Sequence, residues 1–206
     1  NELYRRGIDA GRRALGEKPF DEPGFPFWGV VRSRPYMRAR QGYAETLVAL
    51  GRKAEAADEY QALLKLNPND NQGVRYQLAP LLLELNRLDE LDALLGGDNF
   101  REDASAEWAY VRALLACRRD AGSPKARSQM LAAIDCNPHV PKYLLGRAEI
   151  PPSTPPFFSP GDEREAMIVA SSQKALWEQT PDALKWLGKC KRQLNQTAKQ
   201  KKQRRK

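Results

Sequence analysis

The side chains best equipped to hold another molecule are Arg38, Tyr76, Trp108 and Arg112. Tyr, Trp and Arg dominate binding hot spots because each joins a large flat surface to a polar tip. No catalytic arrangement accompanies them. His139 is the only histidine, and it stands between Pro138 and Val140 in a turn. Cys117, Cys136 and Cys190 form no CxxC pair and lack zinc-ligand spacing with His139, so neither a metal nor a cofactor is expected. There is no Gly-rich phosphate loop and no GxSxG. The pairs Asp58-Glu59, Asp89-Glu90 and Asp162-Glu163 are adjacent in helical patterns. Side chains at i and i+1 diverge on a helix, so these acids do not converge as a general acid/base pair. The expectation is a protein that is not an enzyme and takes no small-molecule substrate. An enzymatic part upstream of Asn1, or a site outside these patterns, is the other reading.

The elements that must position the four binding-type residues begin with the stretch from Pro35 to Pro68. Ala39, Tyr43, Ala44, Leu47 and Leu50 recur at spacings of three and four, which lines one face of a helix. Gly51-Arg52 breaks the pattern. Ala54, Ala56, Ala57, Tyr60, Leu63 and Leu64 mark a second helix, which Asn67-Pro68 ends because proline disfavours helix at the residue before it. Small Ala56 beside the Tyr60 ring suits two helices in close contact. These residues resemble the tetratricopeptide repeat, a helix–turn–helix unit of about 34 residues. Ala56, Tyr60, Pro68 and Gly51 fall on its small, aromatic, proline and turn positions, whereas Arg40 stands where that family favours Trp. An ordinary helical hairpin of another all-α domain is the alternative.

The unit recurs. At a shift of 35 residues Leu78, Ala79, Leu82 and Leu85 replace Tyr43, Ala44, Leu47 and Leu50, and Asn86-Arg87 replaces Gly51-Arg52. Asn71 is the expected N-cap of this first helix, and Pro80 lies inside it. At a shift of 67, Tyr110, Val111, Leu114 and Cys117 follow, and after a longer turn Ala126, Met130 and Pro138 match Ala56, Tyr60 and Pro68 at a shift of 70. About three such units suffice for a stable stack. The predicted fold is all-α, an α-solenoid of about three TPR-like repeats with capping helices at both ends. The first helix of each repeat would line a groove. Beside its core stripe stand Arg38, Gln41 and Glu45 in the first repeat, Tyr76 in the second, and Trp108 and Arg112 in the third. Such a groove suits an extended peptide or protein partner, with the arginines favouring an acidic one. The competing reading packs Tyr76 and Trp108 between repeats. No Lys and Asn clamp for a chaperone C-terminal carboxylate stands out.

The expected domain organisation is an N-terminal helix and aromatic loop (1–33), repeats (34–146), a proline-rich strap with C-terminal capping helices (147–188) and a disordered basic tail (189–206). The loop carries Phe20, Phe25, Phe27 and Trp28, read as packing on the first hairpin, with an exposed peptide-binding patch as the alternative. Residues 150–160 hold five prolines and read as an extended strap. Its Pro152-Ser153-Thr154-Pro155 also has the form of an SH3-type ligand. Asp162 with Glu165 reads as a capping box, and Thr180-Pro181 as the start of a last helix. NPHVPKYLL (137–145) and PGDEREAMIVA (160–170) resemble the C-terminal part of the suppressor-of-tumorigenicity seven family and related bacterial repeat proteins. That resemblance spans most of 34–187 and implies an interaction or scaffold protein with no established chemistry.

The chain has 206 residues, 41% hydrophobic and 29% charged, and a net charge of +8. Those proportions fit a soluble globular protein with one real core. From Lys185 onward there are ten bases and no acid; without them, twenty-four bases face twenty-six acids, a net of −2. The basicity therefore belongs to the tail. Lys199, Lys201, Lys202, Arg204 and Arg205 form a candidate phosphate-contacting segment, so the second functional reading is a nucleic-acid- or ribosome-associated factor. A nuclear-localisation run or a solvated tail are the others. No apolar run approaches the ~20 residues of a membrane helix, and no signal peptide opens the chain. Three scattered cysteines make no disulfide framework. The expected location is the cytoplasm or nucleus, with no membrane partner.

Overall fold

Apolar residues at three- and four-residue spacing do form helices throughout. The computed structural model describes residues 2–153 and 155–203, with the side chains of 198, 199, 201 and 202 left aside. Among the described residues there are eleven α-helices, one 3-10 turn and no strand. The protein is all-α. The chain divides into two compact units, Asn1–Leu91 and Asp92–Lys206.

In the first unit α1 (Glu2–Leu15) packs on α3 (Arg34–Ala49), and α3 on α4 (Lys53–Leu66). Gly7 lies beside Ala39, Gly11 beside Tyr36, and Gly42 under the Tyr4 ring, so α1 and α3 run antiparallel with their backbones close. The loop after α1 is not wholly irregular: α2 (Lys18–Asp21) begins with Pro19 in its first turn, where a missing N–H costs nothing. The 3-10 turn Val31–Ser33 then feeds α3. Phe20 and Phe27 pack against each other at 5.1 Å, and Phe20 meets Tyr36 of α3 edge-on at 5.3 Å. The loop aromatics are thus anchored on the first hairpin. Buried Ser33 fixes the loop by donating to the carbonyls of Val30, at 2.7 Å, and Phe27.

Ala56, Tyr60 and Leu63 are buried along α4, as their spacing predicts. Arg40, at the position where the repeat family favours Trp, reaches Glu59 of α4 with Nη2 to Oε2 at 2.5 Å. α5 (Arg75–Glu84) runs through Pro80. Its N-terminus is served by Asp70 and not by Asn71. The Asp70 carboxylate accepts from Val74 N–H at 2.8 Å and Arg75 N–H at 3.0 Å, and pairs with the Arg75 guanidinium at 3.0 Å. α6 (Leu88–Gly96) follows a turn at Asn86, whose φ of 56° echoes the 76° of Gly51 thirty-five positions earlier. Each turn is followed by an arginine three residues before a glutamate, Arg52 with Glu55 and Arg87 with Glu90.

In the second unit α7 (Ala106–Asp120) and α8 (Pro124–Cys136) pack together. Each has a serine N-cap: Ser105 accepts from Trp108 N–H and Ser123 from Ala126 N–H. α9 (Val140–Leu144) precedes the strap, and α10 (Glu163–Gln179) packs on α7 and α9. Within the strap, Thr154 of the SH3-type motif lies outside the described residues. The last helix, α11 (Ala183–Gln203), begins two residues after Pro181, because Asp182 takes a φ of 57°. It also continues well past residue 189, where the sequence predicted disorder. Leu187 and Cys190 are buried, and Lys191 Nζ donates to the Pro138 carbonyl at 3.0 Å, so packing against α8 holds this segment.

Candidate functional site

Arg38, Gln41 and Glu45 share the outer face of α3 because their spacing of three and four returns to one side of a helix. Arg38 and Glu45 are exposed and Gln41 is half-buried. Gln41 donates from Nε2 to Glu45 Oε1 at 3.1 Å, and its Oε1 accepts from Gln72 Nε2 at 2.7 Å. Gln72 also donates to the Met37 carbonyl at 3.3 Å, which draws the segment before α5 onto α3. Tyr76 follows, half-buried, with the Arg75 guanidinium 4.1 Å from its ring centre. Four of the six predicted groove residues therefore lie in the first unit, three of them linked by hydrogen bonds or helix register.

A residue that the spacing argument missed completes this face. Trp28 is half-buried, with the guanidinium carbons of Arg34 and Arg38 at 5.4 and 5.9 Å from its ring. Arg34 Nε also donates to the Trp28 carbonyl at 2.9 Å. Cation–π contact holds the two arginines beside the ring. Among the described residues neither arginine forms an ion pair. The aromatic content of the loop was the available hint, but nothing in the sequence shows that Trp28 would meet Arg38.

Trp108 requires correction as a partner-binding residue, and Arg112, half-buried, is engaged within the fold. Trp108 is 0% exposed and packs edge-on against Phe100 at 6.1 Å. Arg112 spends its Nη2 on three backbone carbonyls, Leu95 at 3.2 Å, Phe100 at 3.2 Å and Arg101 at 2.6 Å. A guanidinium has donors only, so it satisfies the carbonyls left over at the end of α6 and in the turn beyond. Both residues hold the second unit together.

The two stretches that looked most specific meet in the second unit. Asn137 Nδ2 donates to the Asp162 carbonyl and to Glu165 Oε2, both at 2.9 Å, and Tyr110 Oη donates to the Asn137 carbonyl at 2.8 Å. Glu165 also accepts from Gly161 N–H at 2.7 Å and Ala106 N–H at 3.1 Å. Asp162 caps α10 as predicted, accepting from Glu165 N–H at 2.8 Å. The Glu165 side chain departs from the capping box: it joins the starts of α7 and α10 to the end of α8. Tyr143 Oη and Lys142 Nζ both donate to Glu163. These motif residues do structural work.

Along the tail, Lys199, Lys201 and Lys202 fall on α11, with their side chains outside the described residues; Arg204 and Arg205 lie outside them altogether. Burial pushes the Cys117 thiol up to about 11 and raises Cys136 and Cys190, the reverse of an activated nucleophile. Among the described residues no three His, Cys, Asp or Glu side chains cluster as metal ligands, and no helix is long and apolar enough to cross a membrane. The arrangement offers recognition chemistry: exposed cations, flat aromatic surfaces and amides.

No protein-family model, no curated protein and no solved structure matches the chain.

Proposed function

We propose that the chain is a non-enzymatic interaction module, a scaffold or adaptor that holds a peptide or protein partner on the outer face of α3. The observation that carries this reading is Arg38, exposed, set against Trp28 and without an ion pair among the described residues, beside the amide of Gln41. A preset guanidinium next to an aromatic ring loses little entropy on meeting an acidic partner. Tyr76 and Glu45 extend the same face. The recurrence of turn conformation and of the Arg–Glu spacing at 35 residues supports a solenoid of TPR-like repeats, in keeping with the resemblance to the suppressor-of-tumorigenicity seven family. Cytoplasm or nucleus is the proposed setting.

A second reading rests on α11, which carries seven Lys or Arg and no acid over 21 residues. Such a helix would attract phosphate backbones in a salt-dependent way. Affinity capture from native lysate, with and without nuclease, separates the two. The variants are Arg38→Glu/Gln41→Ala and a form with the exposed Lys185, Lys189 and Arg192 changed to Gln. The adaptor reading expects one protein partner that survives nuclease and is lost with the α3 variant alone. Recovery that depends on nucleic acid and is lost with the α11 variant would move function to the helix.

A further inference from the structure

Away from Arg38, Gln41 and Glu45, the first unit holds a cleft of about 530 Å³ between residues 19–29 and the turn at 65–71. That volume lies within the ~300–1,000 Å³ typical of ligand sites. Four rings line it: Phe27, which is buried, and the half-buried Phe20, Phe25 and Trp28. They are held in advance. Phe20 packs on Tyr36, Phe25 meets Phe27 edge-on at 5.0 Å, and Trp28 is fixed through its own carbonyl by Arg34. The cleft also takes in Arg34 and Lys65. Among the described residues neither forms an ion pair, and the bond to Trp28 is the one hydrogen bond of the Arg34 guanidinium, leaving its two Nη groups to a ligand. Asn69 and Asn71 lie on the same lining and are exposed; a side-chain amide can give and take a hydrogen bond with a passing peptide unit.

We propose that this cleft binds a linear peptide in which an aromatic side chain stands next to carboxylates. The ring enters among Phe20, Phe25 and Trp28, where aromatic pairs favour edge-on and offset contact. The carboxylate meets Arg34 and Lys65, a charge-assisted pairing roughly twice as strong as a neutral hydrogen bond. Stacking rings beside cations would also suit a single-stranded nucleic acid. Against Arg34 and Lys65, the Glu22 carboxylate leaves the lining a net charge of only +1, which suits a locally acidic peptide better than a backbone with a phosphate at every nucleotide. Trp28 borders both the cleft and the α3 face, but Lys65 belongs to the cleft alone and Gln41 to the face alone, so Lys65→Glu reports on the cleft in peptide binding and Arg38→Glu/Gln41→Ala on the face in partner capture.

The test is fluorescence anisotropy on the full chain with a fluorescein-labelled Gly/Ser peptide carrying one Phe flanked by Asp on both sides. Matched peptides exchange Asp for Lys or Phe for Ala, and a uridine hexanucleotide serves as the competing class. The Asp–Phe peptide is expected to bind, and each exchange to weaken binding about tenfold or more. Lys65→Glu, at an exposed residue, is expected to weaken it comparably with the fold intact, and Arg34→Ala likewise. Arg52→Ala, a cation outside the cleft, leaves it unchanged. Absence of binding, equal binding of the Lys–Phe peptide, an unaffected Lys65→Glu variant, or tighter binding of the hexanucleotide overturns the proposal.

Discussion

Glu165 has three hydrogen-bond donors around two oxygens: Ala106 N–H on one, Gly161 N–H and Asn137 Nδ2 on the other. It is 4% exposed. A carboxylate only accepts, which is why this position suits Glu and not its amide. Glu165→Gln, nearly the same in shape, turns an amide donor onto a donor. It is expected to cost about 1–3 kcal/mol of stability, read as a lower urea midpoint. An unchanged midpoint would show that the network does not hold the unit. The same arithmetic explains Arg112, whose donors answer three carbonyls. Residue type and a place beside the core stripe of one helix marked Arg112 and Trp108 as binding residues. Their actual partners are supplied by chain segments that spacing within one helix does not report.

The approach of α1 to α3 depends on glycine in a way that helix propensity misreads. Gly7 and Gly11 count against a helix, since Ala in a helix interior is favoured by about 0.5–1 kcal/mol. By propensity both should improve on change to Ala. The packing separates them. A Cβ at Gly7 would sit 3.4 Å from the Ala39 Cβ, whereas one at Gly11 would sit 2.9 Å from the Tyr36 Cβ and 3.2 Å from its backbone Cα. Gly11→Ala is therefore expected to destabilise by about 1–3 kcal/mol, as overpacking does, while Gly7→Ala is neutral or stabilising. Thermal melts of the two variants check the pair, and equal shifts would refute close packing at Tyr36. The same scale explains the tail. Deleting everything beyond residue 189 would remove buried Cys190 and the Lys191 bond, so charge neutralisation at exposed positions is the cleaner probe of α11.

Across the whole molecule, carboxylates in both units are held below their ordinary range. Arg87 donation, then Gln61, holds Glu90 down to about 2; Arg12 lowers Glu17, Arg52 lowers Glu55, Lys142 lowers Glu163, and the N–H of Glu165 lowers Asp162. A depressed folded pKa contributes stability that is present above the unfolded value, 4.5 for Glu90, and is lost as pH falls toward about 2. These groups are largely solvated, so each share is small and salt weakens it. Urea midpoints are expected to fall between pH 5 and pH 2.5, less steeply in Glu90→Gln; identical slopes would remove Glu90 from the account. The all-α class, the positions of the turns and the Asp162 cap were legible in the sequence. Those depend on interactions within a few residues, such as 3.6-residue periodicity, positive φ at Gly51 and Asn86, and side chains capping the next turn. Tertiary structure alone decided that Asp70 rather than Asn71 serves α5, that Trp108 is buried, that Glu165 binds Ala106 fifty-nine positions away, and that Trp28 meets Arg38. A polar or aromatic side chain takes whichever partner packing brings within a few ångströms, and that choice is settled only when distant segments share one core.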